Sequence, residues 1–91
     1  MKISIITVTL NSEKTLRDTL NSVFSQTYKN IEHIIVDGGS QDKTLSILKK
    51  YPNKKKKIFI KKNFGIYESI NFAIKNSTGR FICILNSDDI F

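Results

Sequence analysis

The stretch ISIITVTLNSEKTLRDTLNSVFSQTYKNIEHIIVDGGS, residues 3–40, decides the fold. It opens on a short β-branched run, Ile3 to Thr9, which favours a buried strand over a helix. Asn11 and Ser12 follow as good N-cap residues, and Leu16, Leu20, Val23 and Phe24 then recur at i, i+4, i+7 and i+8, the spacing of an amphipathic helix. Ile31 to Val36 is a second strand-like run, ended by the turn formers Asp37, Gly38, Gly39 and Ser40. Strand, helix, strand within one short segment predicts a crossover unit with parallel strands.

The rest of the chain continues the alternation. Leu45, Leu48 and Tyr51 mark a short second helix closed by Pro52 and Asn53, and Ile58, Phe59 and Ile60 form a third strand. Gly65 starts a helical period through Ile66, Ile70, Ala73 and Ile74 that Gly79 is placed to end, and Phe81 to Leu85 is a fourth strand. The order β-α-β-α-β-α-β predicts an α/β, Rossmann-like parallel sheet of four strands with helices on both faces. With the spatial order 3-2-1-4, the winding reverses between strands 1 and 4. Ligands bind such sheets beyond the carboxyl ends of the strands at that reversal. The segments Val8 to Asn11, Asp37 to Asp42 and Asn86 to Asp89 then share one rim, and the polar residues cluster there.

Bulk composition narrows the class. The 91 residues allow one domain, and the formal charge of +7 is localised. Eight of the 15 basic residues lie between Lys49 and Lys62, where there is no acid, which leaves seven basic residues against eight acids elsewhere. The remainder therefore carries −1, and the charge itself does not name an anionic main ligand. A solvated loop is the plain reading of the lysine run; docking on an anionic membrane face through Lys54 to Lys57 is its functional reading. The run lacks the interleaved stacking aromatics that nucleic-acid binding uses, so no nucleic-acid partner is expected. The single cysteine, Cys83, excludes an internal disulfide, no apolar stretch reaches membrane-span length, and Ser4, Thr7 and Thr9 interrupt the only signal-like segment. These features predict a cytoplasmic chain. His33, inside the second strand, reads as a packed or edge histidine without a role. The apolar fourth strand, if it is a sheet edge, invites self-association.

The turn after strand 1, VTLNSEK, contains no glycine, and there is no GxxxxGK[ST] loop, so neither a dinucleotide fingerprint nor a P-loop holds phosphate here. The rim is acidic instead: Asp88 and Asp89 after strand 4, with Asp37 nearby. Carboxylates facing a polyphosphate need a hard cation between them, and Mg²⁺ or Mn²⁺ suits a few oxygens plus substrate phosphates. Taken alone, Asp37 before two glycines also fits a simple Asx turn, and Asp88 and Asp89 also fit a solvated chain end.

The run SIITVTLNSEKTLRDTLNSVFSQTYKNIEHIIVDGGSQDKT (4–44), followed by NFGIYESINFAIKNSTGRFICILNSDD (63–89), resembles the amino-terminal half of a family 2 glycosyltransferase with the GT-A fold. The resemblance covers essentially the whole chain and implies that residues 1–91 are the nucleotide-diphospho-sugar-binding part of such a domain, ending just after the DxD-like motif. In that family the TxN turn and the VDDGS-type turn hold base and ribose, commonly of a UDP-sugar. This carries over to Thr9, Asn11, Asp37, Gly39 and Ser40. The DxD-type motif holds the divalent cation on the diphosphate, which carries over to Asn86, Asp88 and Asp89, with Asp88 and Asp89 as metal ligands. Tyr67 and Glu68 follow an NFG segment similar to the family's DxG segment on the sugar and diphosphate side.

Two positions depart from the pattern: Gly38 replaces the second acid of VDDGS, and Asn86 replaces the first acid of DxD. The resemblance implies inverting transfer of the sugar to an acceptor hydroxyl on a sugar or lipid-linked acceptor, in cell-surface polysaccharide or glycolipid synthesis. It places such an enzyme in the cytoplasm or at the inner membrane face. The family's catalytic base is expected beyond residue 91, so this chain by itself is expected to turn over little. A nucleotide-binding module without catalysis is the first alternative, and a basic domain that binds nucleic acid or a membrane surface is the second.

Overall fold

Seven elements alternate as the periodicity predicts. The computed structural model describes residues 2–25, 29–52 and 56–86. They form β1 (Ile3–Thr9), α1 (Leu16–Phe24), β2 (Ile31–Asp37), α2 (Thr44–Lys50), β3 (Lys56–Ile60), α3 (Ile66–Lys75) and β4 (Phe81–Ile84). The strands make one parallel sheet in the order β3-β2-β1-β4. Side chains alternate across it. Ile6, Ile34 and Val36 meet Ala73, Phe59 and Phe72 on the α3 face, while Ile35 meets Leu16, Leu20 and Leu48 on the face covered by α1 and α2. A third cluster, Ile5, Val23 and Leu85, extends that second face toward β4, with half-buried Cys83 against it. The order 3-2-1-4 and the two-sided helix cover agree with the expectation.

Several boundaries move. Thr15, rather than Asn11 or Ser12, is the N-cap of α1. Asn11 turns the chain with φ of 50°, and the Ser12 carbonyl accepts from the amides of Thr15 and Leu16. The polar residues expected to cap the helix are used in the loop before it. β3 begins at Lys56, two residues before the apolar run, because pairing with β2 from His33 to Asp37 carries the lysines into the ladder. Phe24 is largely exposed and meets Tyr51 edge to face with ring centroids 6.0 Å apart. Ile66 and Ile74 are likewise exposed, while Ser69 and Ala73 are the buried positions of α3.

Gly79 does not end α3, which is capped at Asn76. Its purpose is contact: a Cβ there would lie 2.3 Å from Ser4 Oγ and 2.6 Å from the Ser4 amide nitrogen, so only glycine lets the α3–β4 link cross β1.

That crossing completes a polar hub at the amino ends of the strands. Glu32 is 3% exposed. Its Oε2 accepts from Ser4 Oγ (2.5 Å) and from the amides of Thr78 (2.5 Å) and Gly79 (3.2 Å). Its Oε1 pairs with Lys57 at 3.0 Å and, more loosely, with Lys2 at 3.7 Å. Burial alone would raise the Glu32 pKa, but the bonds from Ser4, Thr78 and Lys57 outweigh it and hold the carboxyl down to about 2. His33 is fully buried, joined to Thr7 Oγ1 through Nε2 at 2.7 Å, and burial lowers its pKa to about 4. Its Nδ1 has no partner among the described residues.

Both groups make the fold acid-labile, in separate windows. His33 binds its proton more weakly folded than unfolded, so its contribution falls from pH 6.5 toward 4; that of Glu32 falls from about pH 4.5 toward 2. Denaturant titrations across pH are expected to show Glu32→Gln less stable by about 2 kcal/mol at pH 7, with the gap closing below pH 4. His33→Gln is expected to flatten the upper window. A gap independent of pH would contradict the role given to Glu32.

Candidate functional site

At the carboxyl ends of the strands the chain builds a second polar assembly. Asp37, the last residue of β2, is fully buried beside Thr9, its register partner on β1. Asp37 Oδ1 accepts from Thr9 Oγ1 (2.6 Å) and Ser40 Oγ (2.5 Å), and Oδ2 accepts from the amides of Gly39 (2.9 Å) and Ser40 (2.7 Å). The carboxylate therefore braces the turn from inside, with Gly39 at φ of 103° supplying the left-handed position that closes it. Ser40 Oγ in turn accepts from the Asn11 amide (2.9 Å), and Asn11 Oδ1 accepts from the Gln41 amide (2.8 Å). Further along, the Ser12 amide donates to Thr44 Oγ1 (2.7 Å) and Asp42 receives the amides of Glu13 and Thr44. The β1–α1 and β2–α2 loops are stitched along their length.

The β3–α3 loop packs across the same turn. Lys61 donates its amide to the Asp37 carbonyl (2.8 Å) and Asn63 to that of Gly38 (3.3 Å). A Cβ on Gly38 would stand 3.3 Å from the Phe64 carbonyl oxygen, so this loop packs close against the residue replacing the second acid. Phe64 is pinned through Phe72, whose ring also meets Phe59 and the Lys61 ammonium, the last at 4.5 Å.

Between these loops lies a cleft of about 780 Å³, of small-ligand size. Residues 8–15, Gly38, Asp42, the 64–66 segment and Asn86 line it. Of the residues expected at a site, Thr9, Asn11 and Asn86 reach the wall. Asp37, Gly39 and Ser40 stand behind it as the brace. Tyr67 and Glu68 do not line it: Tyr67 is 80% exposed, and the Glu68 carboxylate accepts the Gly65 amide at 3.0 Å as part of the α3 cap. Asp88 and Asp89 lie outside the described residues, and among the described residues no three metal-ligating side chains come together. The sequence placed the segments holding Leu10 and Asp42 on the rim without singling out either residue, and Glu13, Lys14, Phe64 and Ile66 were missed as wall residues. Asp42 alone left a signal, since Asp two residues before Thr44 has the spacing of a helix-start bond.

The membrane-docking run is partly committed as well. The Lys56 ammonium donates to the Tyr51 carbonyl at 2.5 Å and Lys57 to Glu32, while Lys54 and Lys55 lie outside the described residues.

Residues 4–91 match the family model for glycosyl transferase family 2. The chain belongs to glycosyl transferase family 2. Within that family it is 43% identical over 89 residues to the E. coli protein WfaP, a UDP-Glc:alpha-D-GlcNAc-diphosphoundecaprenol beta-1,3-glucosyltransferase, covering 96% of this chain and 35% of that one. It is 37% identical to TarS of S. aureus, with a TM-score of 0.90 over 99% of this chain and 28% of TarS residues 1–349, a protein also solved with UDP and with UDP-GlcNAc. A mannosyltransferase from Pyrobaculum calidifontis, solved with GDP-Man and Mn²⁺, superposes with a TM-score of 0.91 over 99% of this chain and 28% of its own; at 22% identity that likeness is one of fold. The family 2 chain described here spans between 13% and 35% of the length of the curated relatives it matches.

The brace predicts a stability effect larger than one exposed bond. Asp37→Ala leaves two amides and two hydroxyls unpaired in a buried turn, so denaturant unfolding is expected to show a loss of about 2–4 kcal/mol, against about 1 kcal/mol for Ser40→Ala. Equal, small losses for the two would refute the brace.

Proposed function

We propose that this chain is the donor-binding part of a glycosyltransferase that moves a sugar from a nucleoside-diphosphate sugar, a UDP-sugar first of all, to an acceptor hydroxyl with inversion. The cleft at the carboxyl ends of β1 and β2, with Asn86 of the metal motif in its wall, carries the reading. Its location is where an open α/β sheet takes a ligand, and the relatives WfaP and TarS handle UDP-sugars. In this reading Thr9 and Asn11 face the nucleotide, and Asp37, Gly39 and Ser40 hold the loops that receive base and ribose. Tyr67 and Glu68 stand on the sugar side only if α3 turns toward it.

A divalent cation, Mg²⁺ or Mn²⁺, is proposed on Asp88 and Asp89 with Asn86 as a neutral oxygen donor; bound there, it would neutralise charge on the departing diphosphate. Neither Asp37 nor Glu68 suits the general base. Asp37 is filled by four donors and Glu68 caps α3. Binding of donor with little turnover is therefore the proposed behaviour of residues 1–91 alone.

Calorimetric titration of UDP, GDP and dTDP, with and without Mn²⁺, tests the reading. UDP is expected to bind most tightly, Mn²⁺ to tighten it, and Asp88→Ala to remove the gain from Mn²⁺. No heat from any nucleotide would sink the proposal.

The acceptor is proposed to be a sugar or lipid-linked sugar in polysaccharide or glycolipid assembly, met at the cytoplasmic face of a membrane. With Lys56 and Lys57 engaged in the fold, the exposed Lys49, Lys50 and Lys62 are, among the described residues of the basic run, the cations left to meet anionic lipid. The opposite sheet edge is uncharged: Phe81, Ile82 and Ile84 of β4 are 54%, 43% and 49% exposed. Pairing of this edge with a second copy is the accompanying proposal for the chain by itself. Sedimentation separates the two. Mass is expected to rise with concentration without lipid, and salt-sensitive pelleting to require anionic vesicles; a monomer indifferent to vesicles would refute both.

A further inference from the structure

The cleft wall has an apolar side and a charged side. Leu10, Gly38, Phe64 and Ile66 make the first, and Gly38 sits where its missing Cβ would touch both Leu10 and the Phe64 carbonyl. Glu13, Lys14 and Asp42 make the second. Asp42 is spent on the loop, receiving the Glu13 and Thr44 amides. Lys14 is exposed and, among the described residues, takes part in no ion pair; the pairs present are those of Lys2 and Lys57 with Glu32. It is also the only cation among the described wall residues.

From this juxtaposition of an unpaired wall lysine with an otherwise acidic cleft side, we infer that Lys14 is the resident counter-charge for the diphosphate of the bound nucleotide. The inference rests on the donor reading above. A nucleoside diphosphate has the same division as the cleft, a flat apolar base and a compact anionic group. Without Lys14 the diphosphate would face only Glu13 and Asp42 on the charged side, and like charges at such range oppose binding. An ammonium on a flexible stem meets phosphate as a point charge and needs no bidentate geometry, which suits a loop position. Lys14 thereby lowers the dependence of nucleotide binding on a metal ion, and it discriminates diphosphate from bare nucleoside.

Titration of UDP and uridine into the 91-residue chain and into Lys14→Met, each in EDTA and in Mg²⁺, tests this. Lys14→Met is expected to lose about tenfold in UDP affinity in EDTA, less in Mg²⁺ and less again at high salt, with uridine affinity unchanged. Lys14→Arg is expected to retain UDP binding. Equal UDP affinity in Lys14→Met and the unaltered chain overturns the inference alone, and so does a parallel loss for UDP and uridine. Failure of the unaltered chain to bind UDP overturns the donor reading and the inference with it.

Discussion

Two cross-strand pairs, Ser4–Glu32 and Thr9–Asp37, hold the central strands β1 and β2 in one register. Each sets a hydroxyl on β1 against a fully paired carboxylate on β2, one near each end of the strand pair and on opposite faces, with Thr7–His33 between them on the face of Thr9–Asp37. A slip of one residue would carry Glu32 across the sheet into the apolar layer under α1 and α2 and Asp37 into the one under α3, away from the groups that pair them. Parallel strands have no tight turn to set their register, so buried polar pairs of this kind supply it. Everything else hangs on this pair of strands. Glu32 draws in Lys57 from β3 and the Thr78–Gly79 link to β4, and Asp37 draws in the turn that shapes the cleft.

The same arrangement divides the molecule by function. At the amino ends, polar groups converge on one carboxylate and leave a closed hub. At the carboxyl ends, hydrogen bonds run sideways between loops and leave an open space above β1. The residues of the two family-type turns thus work at different depths. Thr9 and Asn11 reach the wall, while Asp37 and Ser40 set the distance between the loops that form it. A glycine at position 38 fits this depth, because the Phe64 segment occupies the space an acid there would need. The loss of a carboxylate at 38 and the close packing of the third loop are one structural fact.

Charge follows the edges of the sheet. β3 presents two lysines, Lys56 tied to Tyr51 and Lys57 to Glu32, and a charged edge resists adding another strand. β4 presents apolar side chains on both faces and no charge. The overall +7 is thus concentrated around one edge and tells little about the cleft, whose described wall carries two acids and one lysine.

The alternating strand and helix periods, the strand order and the rim where polar residues gather were legible in the sequence, because burial on two faces demands long apolar runs in strands and a 3.6-residue period in helices. Local chemistry was legible only in part. Asn11 and Ser12 have the composition of a helix cap, yet the Asn11 side chain and both amides bond residues some 30 positions away and the Ser12 hydroxyl bonds Leu10, so neither side chain caps α1, which starts at Leu16. Glu32 and Gly79 look like ordinary strand and turn residues until three strands meet around them. Lys14 reads as a solvated helix-start lysine until the loops close a cleft beside it. By itself, then, the sequence determined which segments fold and which end of the sheet receives a ligand, since propensity and periodicity are local. Which side chains face that ligand and which brace the wall behind them was decided only in three dimensions, where hydrogen bonds between distant residues spend some groups and leave others available.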